Sequence, residues 1–247
     1  MIQVYPDLET LSRAAASLVA AQARSAVAAR GRFGLALAGG GTPRRTYELL
    51  AGIALPEQVP WDRIHVFWGD ERCVPLDDPR SNYGMAAAAW LDRAPIPRSQ
   101  IYPLHCGADP EAAARQYEAQ LQAYLAGGPP RLDLVLLGLG VDGHTASLFP
   151  GAPALEETAR WTAAVYLADQ NLWRVTLTAP FINQARLIVF LVAGPSKAAV
   201  LRQVLHGSRN PRRLPAQLIE PADGELVWLT DLAAASLLPR DRCSCLA

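Results

Sequence analysis

Apolar runs alternate with helical repeats along this chain. Ile2 to Tyr5 reads as a short strand, followed by an alanine-rich helical segment from about Asp7 to Arg30. Phe33 to Ala38 reads as a second strand, after which Gly39-Gly40-Gly41 turns into a helix whose first turn holds Pro43. Ile64 to Trp68 is a strand ending in Gly69-Asp70-Glu71-Arg72, and Glu111 to Ala126 is a helix stopped by Gly127-Gly128-Pro129-Pro130. Leu132 to Leu137 is a buried strand that opens onto GLGVDGHTASLFPG, from Gly138 to Gly151. Further strands are expected at Thr162 to Leu167, Arg174 to Thr178, Leu187 to Ala193 and Glu225 to Thr230. Between the last two, Gly194-Pro195-Ser196 starts the helix that carries Lys197.

This alternation predicts an α/β fold with a mostly parallel sheet covered on both faces. There is no internal repeat and no long linker, so residues 1–238 read as a single domain. The polar tail 239–247 is expected to fray. The stretch from Asp77 to Pro110, rich in Pro and Asp, is expected to be irregular and to serve the active site.

Composition narrows the function classes. The 23 basic and 23 acidic residues cancel, which argues against a general nucleic-acid binder. Almost all the basic residues are arginine, and Lys197 is the only lysine. Cys73, Cys106, Cys243 and Cys245 make no disulfide framework for a chain of 247 residues, and Cys243 and Cys245 lack nearby partners for a metal. No secretory signal and no apolar run of about 18 residues is present, so a cytoplasmic protein without a membrane partner is expected.

Three strand-end loops carry the chemistry. In GLALAGGGTP the backbone N–H groups of Gly39, Gly40 and Gly41 can approach an anion, and Thr42 can cap the next helix or bind a phosphate oxygen. A tight turn without a ligand explains the same residues. It is no Walker A loop and no G-x-G-x-x-G motif, so neither a nucleotide nor any other cofactor is expected. In RIHVFWGDERCVP, Arg72 can hold a carboxylate, a phosphate or a developing oxyanion, or simply pair with Asp70 or Glu71. In the third loop His144 can act as a general base on water with Asp142 orienting it; a plain Asp-Gly turn with His144 capping a helix is the competing reading. Lys197, in the first turn of a helix, opposes the helix dipole, a penalty that a bound anion would offset. No G-x-S-x-G elbow and no ligand-spaced cluster supports a serine nucleophile or a catalytic metal.

In their order, the Gly39 loop, GDERCVP, SNYG at Ser81 to Gly84, GVDGHTASLFPG, RVTLTAPFIN, GPSKAAVL and PAQLI span nearly the whole chain. Together they resemble the 6-phosphogluconolactonases and, more distantly, the glucosamine-6-phosphate deaminases/isomerases of the same superfamily. The resemblance implies a Rossmann-like three-layer α/β/α sandwich with these loops at one sheet edge. It further implies a carboxylic ester hydrolase that opens 6-phospho-D-glucono-1,5-lactone in the oxidative pentose phosphate pathway without a metal. His144, Asp142 and Arg72 would be catalytic. Gly39, Gly40, Gly41, Thr42, Asp70, Asn82, Gly143, Arg174 and Lys197 would bind the substrate and its phosphate. The partner is then a small phosphosugar lactone, handled by a monomer or small homo-oligomer.

Two departures matter. The deaminase branch carries an acidic residue where this chain has Phe149, and usually a tyrosine where it has Arg72, which favours lactone hydrolysis. The lactonase loop Ser-Gly-Gly-Ser-Thr-Pro appears as Ala38-Gly39-Gly40-Gly41-Thr42-Pro43, so two hydroxyl donors are missing. The remaining alternatives are a deaminase/isomerase and a non-catalytic sugar-phosphate sensor. The second is disfavoured because no basic recognition helix is present.

Overall fold

A computed structural model describes residues 1–52 and 59–239 and the backbone of 244–245. The chain opens with β1 (Ile2–Tyr5), α1 (Leu8–Arg30), β2 (Phe33–Leu37), α2 (Gly41–Gly52), β3 (Ile64–Trp68) and β4 (Asp70–Arg72). It continues through α3 (Asn82–Ala86), α4 (Pro110–Leu125), β5 (Leu134–Leu137), β6 (Thr162–Leu167), β7 (Leu172–Leu177) and α5 (Ala179–Ile182). It closes with β8 (Leu187–Val192), α6 (Ala198–His206), β9 (Glu225–Asp231), α7 (Leu232–Ala235) and β10 (Ser244–Cys245). Asp7 caps α1 through Thr10, and Gly31 ends it in the left-handed region (φ 76°).

The main sheet runs β10-β1-β9-β8-β5-β2-β3, and its strand pairs are parallel. Its strands β5 and β8 are apolar at every position because both faces are covered. Leu134 and Leu136 of β5 pack with α1 and α2, while Val135 and Leu137 pack with α4 and α6. Side chains alternate across the sheet, so one short run, LVLL, serves two cores. On α1, alanines at 15, 16, 20, 23 and 26 are buried, and their small side chains let the helix lie close to the strands.

A second, three-stranded antiparallel sheet, β4-β7-β6, was not foreseen from the sequence. Gly69 joins the two sheets: its N–H donates to the Leu37 carbonyl and its carbonyl accepts from Leu177, both at 2.8 Å. The chain leaving β3 thus steps out of the parallel sheet and aligns Asp70 with Thr176 and Arg72 with Arg174.

Three expectations need correction. The segment after Asp77 is not uniformly irregular, because α3 and the wide turn Ala87–Leu91 follow an N-cap at Ser81. Cys73 and Cys106 form a disulfide; the fold brings them together although they lie 33 residues apart in sequence. In the tail, Ser244 and Cys245 pair in parallel with Gln3 and Val4, while 240–243 and 246–247 lie outside the described residues. Among the described residues, no helix is long and apolar enough to cross a membrane.

Candidate active site

A cleft of about 210 Å³ opens at the C-terminal ends of β2, β3, β5 and β8, where an open α/β sheet presents its ligand site. Gly39, Gly40, Asp70, Arg72, Asn82, His144, Arg174 and Lys197 all line it. Three loops distant in sequence, with β7 and the turn after β8, therefore meet in one place.

Strand periodicity sorts the GDER segment. Asp70 and Arg72 face the cleft, while Glu71 between them is 1% exposed on the opposite side. There the Glu71 carboxylate accepts from the backbone N–H groups of Arg72, Asn82 and Tyr83, each at 2.7 Å, and from the Ser81 hydroxyl at 3.1 Å. Burial pushes the Glu71 carboxyl up, against the downward pull of those N–H groups. This buried strut fixes the start of α3 and was missed in the sequence. The available signal was an acid facing a Ser-Asn helix cap ten residues on.

Asn82, held in this way, donates its side-chain amide to the Asp70 carbonyl at 2.8 Å. A Cβ on Gly39 would stand 2.0 Å from Asn82 Oδ1, so Gly39 is the residue that admits this side chain. Asp70 accepts from the Ser147 hydroxyl at 2.6 Å and lies 3.7 Å from Arg174. The alternative reading of Arg72, an ion pair with the Asp70 or Glu71 side chain, is not what the structure shows. Arg72 Nη1 donates to the Arg80 carbonyl, and its Nε is buried without a hydrogen-bond partner.

Arg72 and Arg174 sit directly opposite each other across β4 and β7. Two like charges so placed repel. Burial, together with Arg72, lowers the Arg174 guanidinium pKa, while Asp70 raises it. Arg174 also donates to Gln170 at 2.7 Å, and its Nε too is buried and unpartnered. Two guanidiniums lining one cleft, with Asp70 3.7 Å from Arg174, suit an anion or a developing oxyanion.

The His144 loop is tightly wound. Asp142 Oδ1 stands 2.5 Å from His144 Nδ1 and accepts from the His144 N–H at 3.1 Å. Partial burial acts to raise the Asp142 carboxyl pKa, but the hydrogen bonds from His144 and the attraction of its ring hold it below the usual range. Nδ1 is thereby occupied, and Nε2 is the ring nitrogen left for chemistry. A Cβ on Gly140 would lie 2.1 Å from His144 Nδ1 and 2.6 Å from Asp142 Oδ1. Gly140 is thus a second requirement of the pair that the sequence reading passed over. Thr145 donates to the Gly138 carbonyl at 2.8 Å and closes the loop.

Lys197 lies in the single turn Pro195–Lys197 that precedes α6. Burial pulls its ammonium below the ordinary lysine value, with Asp142 acting the other way. Gly41 and Thr42 do not line the cleft; they form the first turn of α2, whose N–H groups lack intrahelical partners. Gly143 does not line it either. Its N–H donates to Gly140 and its carbonyl accepts from Ala216, so its backbone groups hold the loop rather than a ligand.

Comparison with known proteins gives the chain's family. The family model described as glucosamine-6-phosphate isomerases/6-phosphogluconolactonase matches residues 6–228. A 6-phosphogluconolactonase of Synechocystis sp. is 45% identical over 241 residues, covering 96% of this chain and 98% of its own. One from Nostoc sp. is 43% identical with the same coverage. The solved 6-phosphogluconolactonase of Trypanosoma brucei superposes with a TM-score of 0.86 at 31% identity, covering 97% of this chain and 98% of that one. With fold and sequence in agreement, the chain belongs to the family of glucosamine-6-phosphate isomerases and 6-phosphogluconolactonases.

Proposed function

We propose that the chain hydrolyses 6-phospho-D-glucono-1,5-lactone to 6-phosphogluconate, the ring-opening step of the oxidative pentose phosphate pathway. The observation that carries this reading is the His144–Asp142 pair, whose free Nε2 shares one cleft with Lys197 and with Arg72 and Arg174, each of which has a buried Nε without a hydrogen-bond partner. Relatives named 6-phosphogluconolactonase at 43–45% identity support it.

Lys197 and the N–H groups of the Gly39 loop hold the phosphate and so fix the ring. His144 Nε2 takes a proton from a water molecule as the water oxygen bonds to the lactone carbonyl carbon. Asp142 stabilises the imidazolium that results. Arg72, with Arg174 behind it, faces the negative charge that develops on the carbonyl oxygen. When the tetrahedral intermediate collapses, the bond to the ring oxygen breaks and His144 returns the proton to it. Asp70 sets Arg174 in place and is itself held by Ser147.

The deaminase/isomerase alternative meets Phe149, whose ring lies on His144 where that branch has an acid. A cytoplasmic location belongs to the same proposal, because a charged sugar phosphate does not cross a bilayer unaided. The test is lactone disappearance over spontaneous hydrolysis, with the lactone generated in situ from glucose 6-phosphate. Acceleration by wild type and none by His144→Ala is expected. Turnover of glucosamine 6-phosphate without lactone hydrolysis would overturn the reading, and phosphosugar binding without any turnover would leave a sensor.

A further inference from the structure

A second basic cavity lies at the opposite, N-terminal end of the parallel sheet. It is small, about 60 Å³, and Arg30, Arg32, Arg131 and Arg186 line it together with Asp133 and Tyr124. Arg30 and Arg32 flank the end of α1, Arg131 precedes β5 and Arg186 precedes β8. None of these residues lines the catalytic cleft.

The acids present do not neutralise the arginines. Asp133 takes Arg30 at 2.8 Å and Arg186 at 3.5 Å, and its other oxygen accepts from the Gly34 N–H at 2.8 Å. Arg131 reaches only Asp223, at 3.3 Å and 85% exposed, and its Nε is buried without a hydrogen-bond partner. Arg32 has no carboxylate within ion-pair distance among the described residues; its guanidinium lies 4.4 Å from the centre of the Tyr124 ring. The C-termini of α1 and α4 add about half a negative charge each, which still leaves the cavity positive. His65, packed on Tyr124, is held below its ordinary pKa by burial and by Arg32, and so adds no positive charge of its own at neutral pH.

We infer that this cavity binds a phosphate group, at a site separate from the catalytic cleft. Guanidinium forks match the oxygens of a tetrahedral oxyanion, and the volume suits one such group rather than a sugar. The group's two sources are free orthophosphate and the phosphate of a monoester such as 6-phosphogluconate.

The test is amide chemical-shift mapping of the intact wild-type protein against inorganic phosphate, with sodium chloride at matched ionic strength as control. Two separate sets of shifts are expected, one around Gly39 and one around Gly34, Leu132 and Leu187. In Arg32→Gln/Arg131→Gln the second set should require about tenfold more phosphate or more, while the first set and lactone turnover stay unchanged. Lys197→Ala should weaken only the first. A second set that appears with both phosphate and 6-phosphogluconate supports a site for the group wherever attached; with phosphate alone, a site for the free anion. Absence of the second set in wild type, or equal shifts from chloride, overturns the inference. Because the mapping is done on wild type and the site lies outside the cleft, the result stands whether or not the lactonase reading holds.

Discussion

The imidazole of His144 lies on the ring of Phe149, with centroids 4.2 Å apart and planes inclined by 30°. Asp142 grips one nitrogen of the imidazole and Phe149 supports its face, so the ring is restrained in two directions. The Arg174 guanidinium is 5.2 Å from the centre of the same phenylalanine ring. An aromatic contact of this kind contributes about 0.5–1.5 kcal/mol. Phe149→Ala should therefore lower kcat by up to about tenfold, and Phe149→Tyr should restore most of it. Steady-state kinetics on the two variants checks this, and equal kcat for wild type and Phe149→Ala would show that the stack does not position the base.

The proton-transfer pair gives a sharper expectation. His144→Ala should lower kcat by about 10²–10⁴-fold with little change in KM, and Asp142→Asn should follow in direction. Gly140→Ala should fall with them although it removes no functional group, because its methyl group would occupy the space of the His144–Asp142 contact. Retention of full turnover by Gly140→Ala would show that the contact is not needed.

Lys197 supplies the pH dependence. Burial lowers its pKa, so the ammonium loses its proton below the ordinary lysine value of about 10.4. As pH rises through that lowered value, the charge facing the phosphate disappears and KM should climb, with kcat less affected. Lys197→Arg should carry its charge to higher pH and remove the alkaline rise in KM. Lys197→Ala should show a high KM at every pH.

The Cys73–Cys106 bond closes a loop with a sequence separation of 33. In the chain-entropy picture a loop of that size contributes about 3–4 kcal/mol to stability. At about 2–4 °C per kcal/mol for a chain of this size, reduction or Cys73→Ser should lower Tm by roughly 10 °C. Thermal unfolding with and without dithiothreitol measures it, and no difference would show the bond to be energetically idle. Turnover at low temperature should survive, since Arg72 is held by the ladder to β7 rather than by the disulfide.

The parallel sheet was largely legible because buried strands such as LIVFLV declare themselves by unbroken apolarity. The small antiparallel sheet was not: β4 is three residues of mixed charge, and only its pairing with β7 makes it a strand. In the cleft, the residues proposed to act on the substrate bear obvious functional groups, and His144, Arg72 and Lys197 stood out. What could not be read was the support. Glu71 looked like one more charge beside Asp70, and Gly140 like one more turn glycine. Their roles depend on a helix start and an imidazole that only the folded chain brings near them. Gly143 erred the other way, a glycine in a functional motif whose N–H and carbonyl both serve the loop itself.

The cleft is assembled from residues between Ala38 and Lys197, and the first strand joins the sheet by pairing with β9 and β10 near the end of the chain. Such long-range parallel pairings form late and slowly. A nascent chain emerging from the ribosome therefore has no turnover until β8 and the turn bearing Lys197 have been made and docked. During refolding, recovered activity would time the closure of the whole topology, and a collapsed intermediate, however rich in helix, would remain silent in the assay.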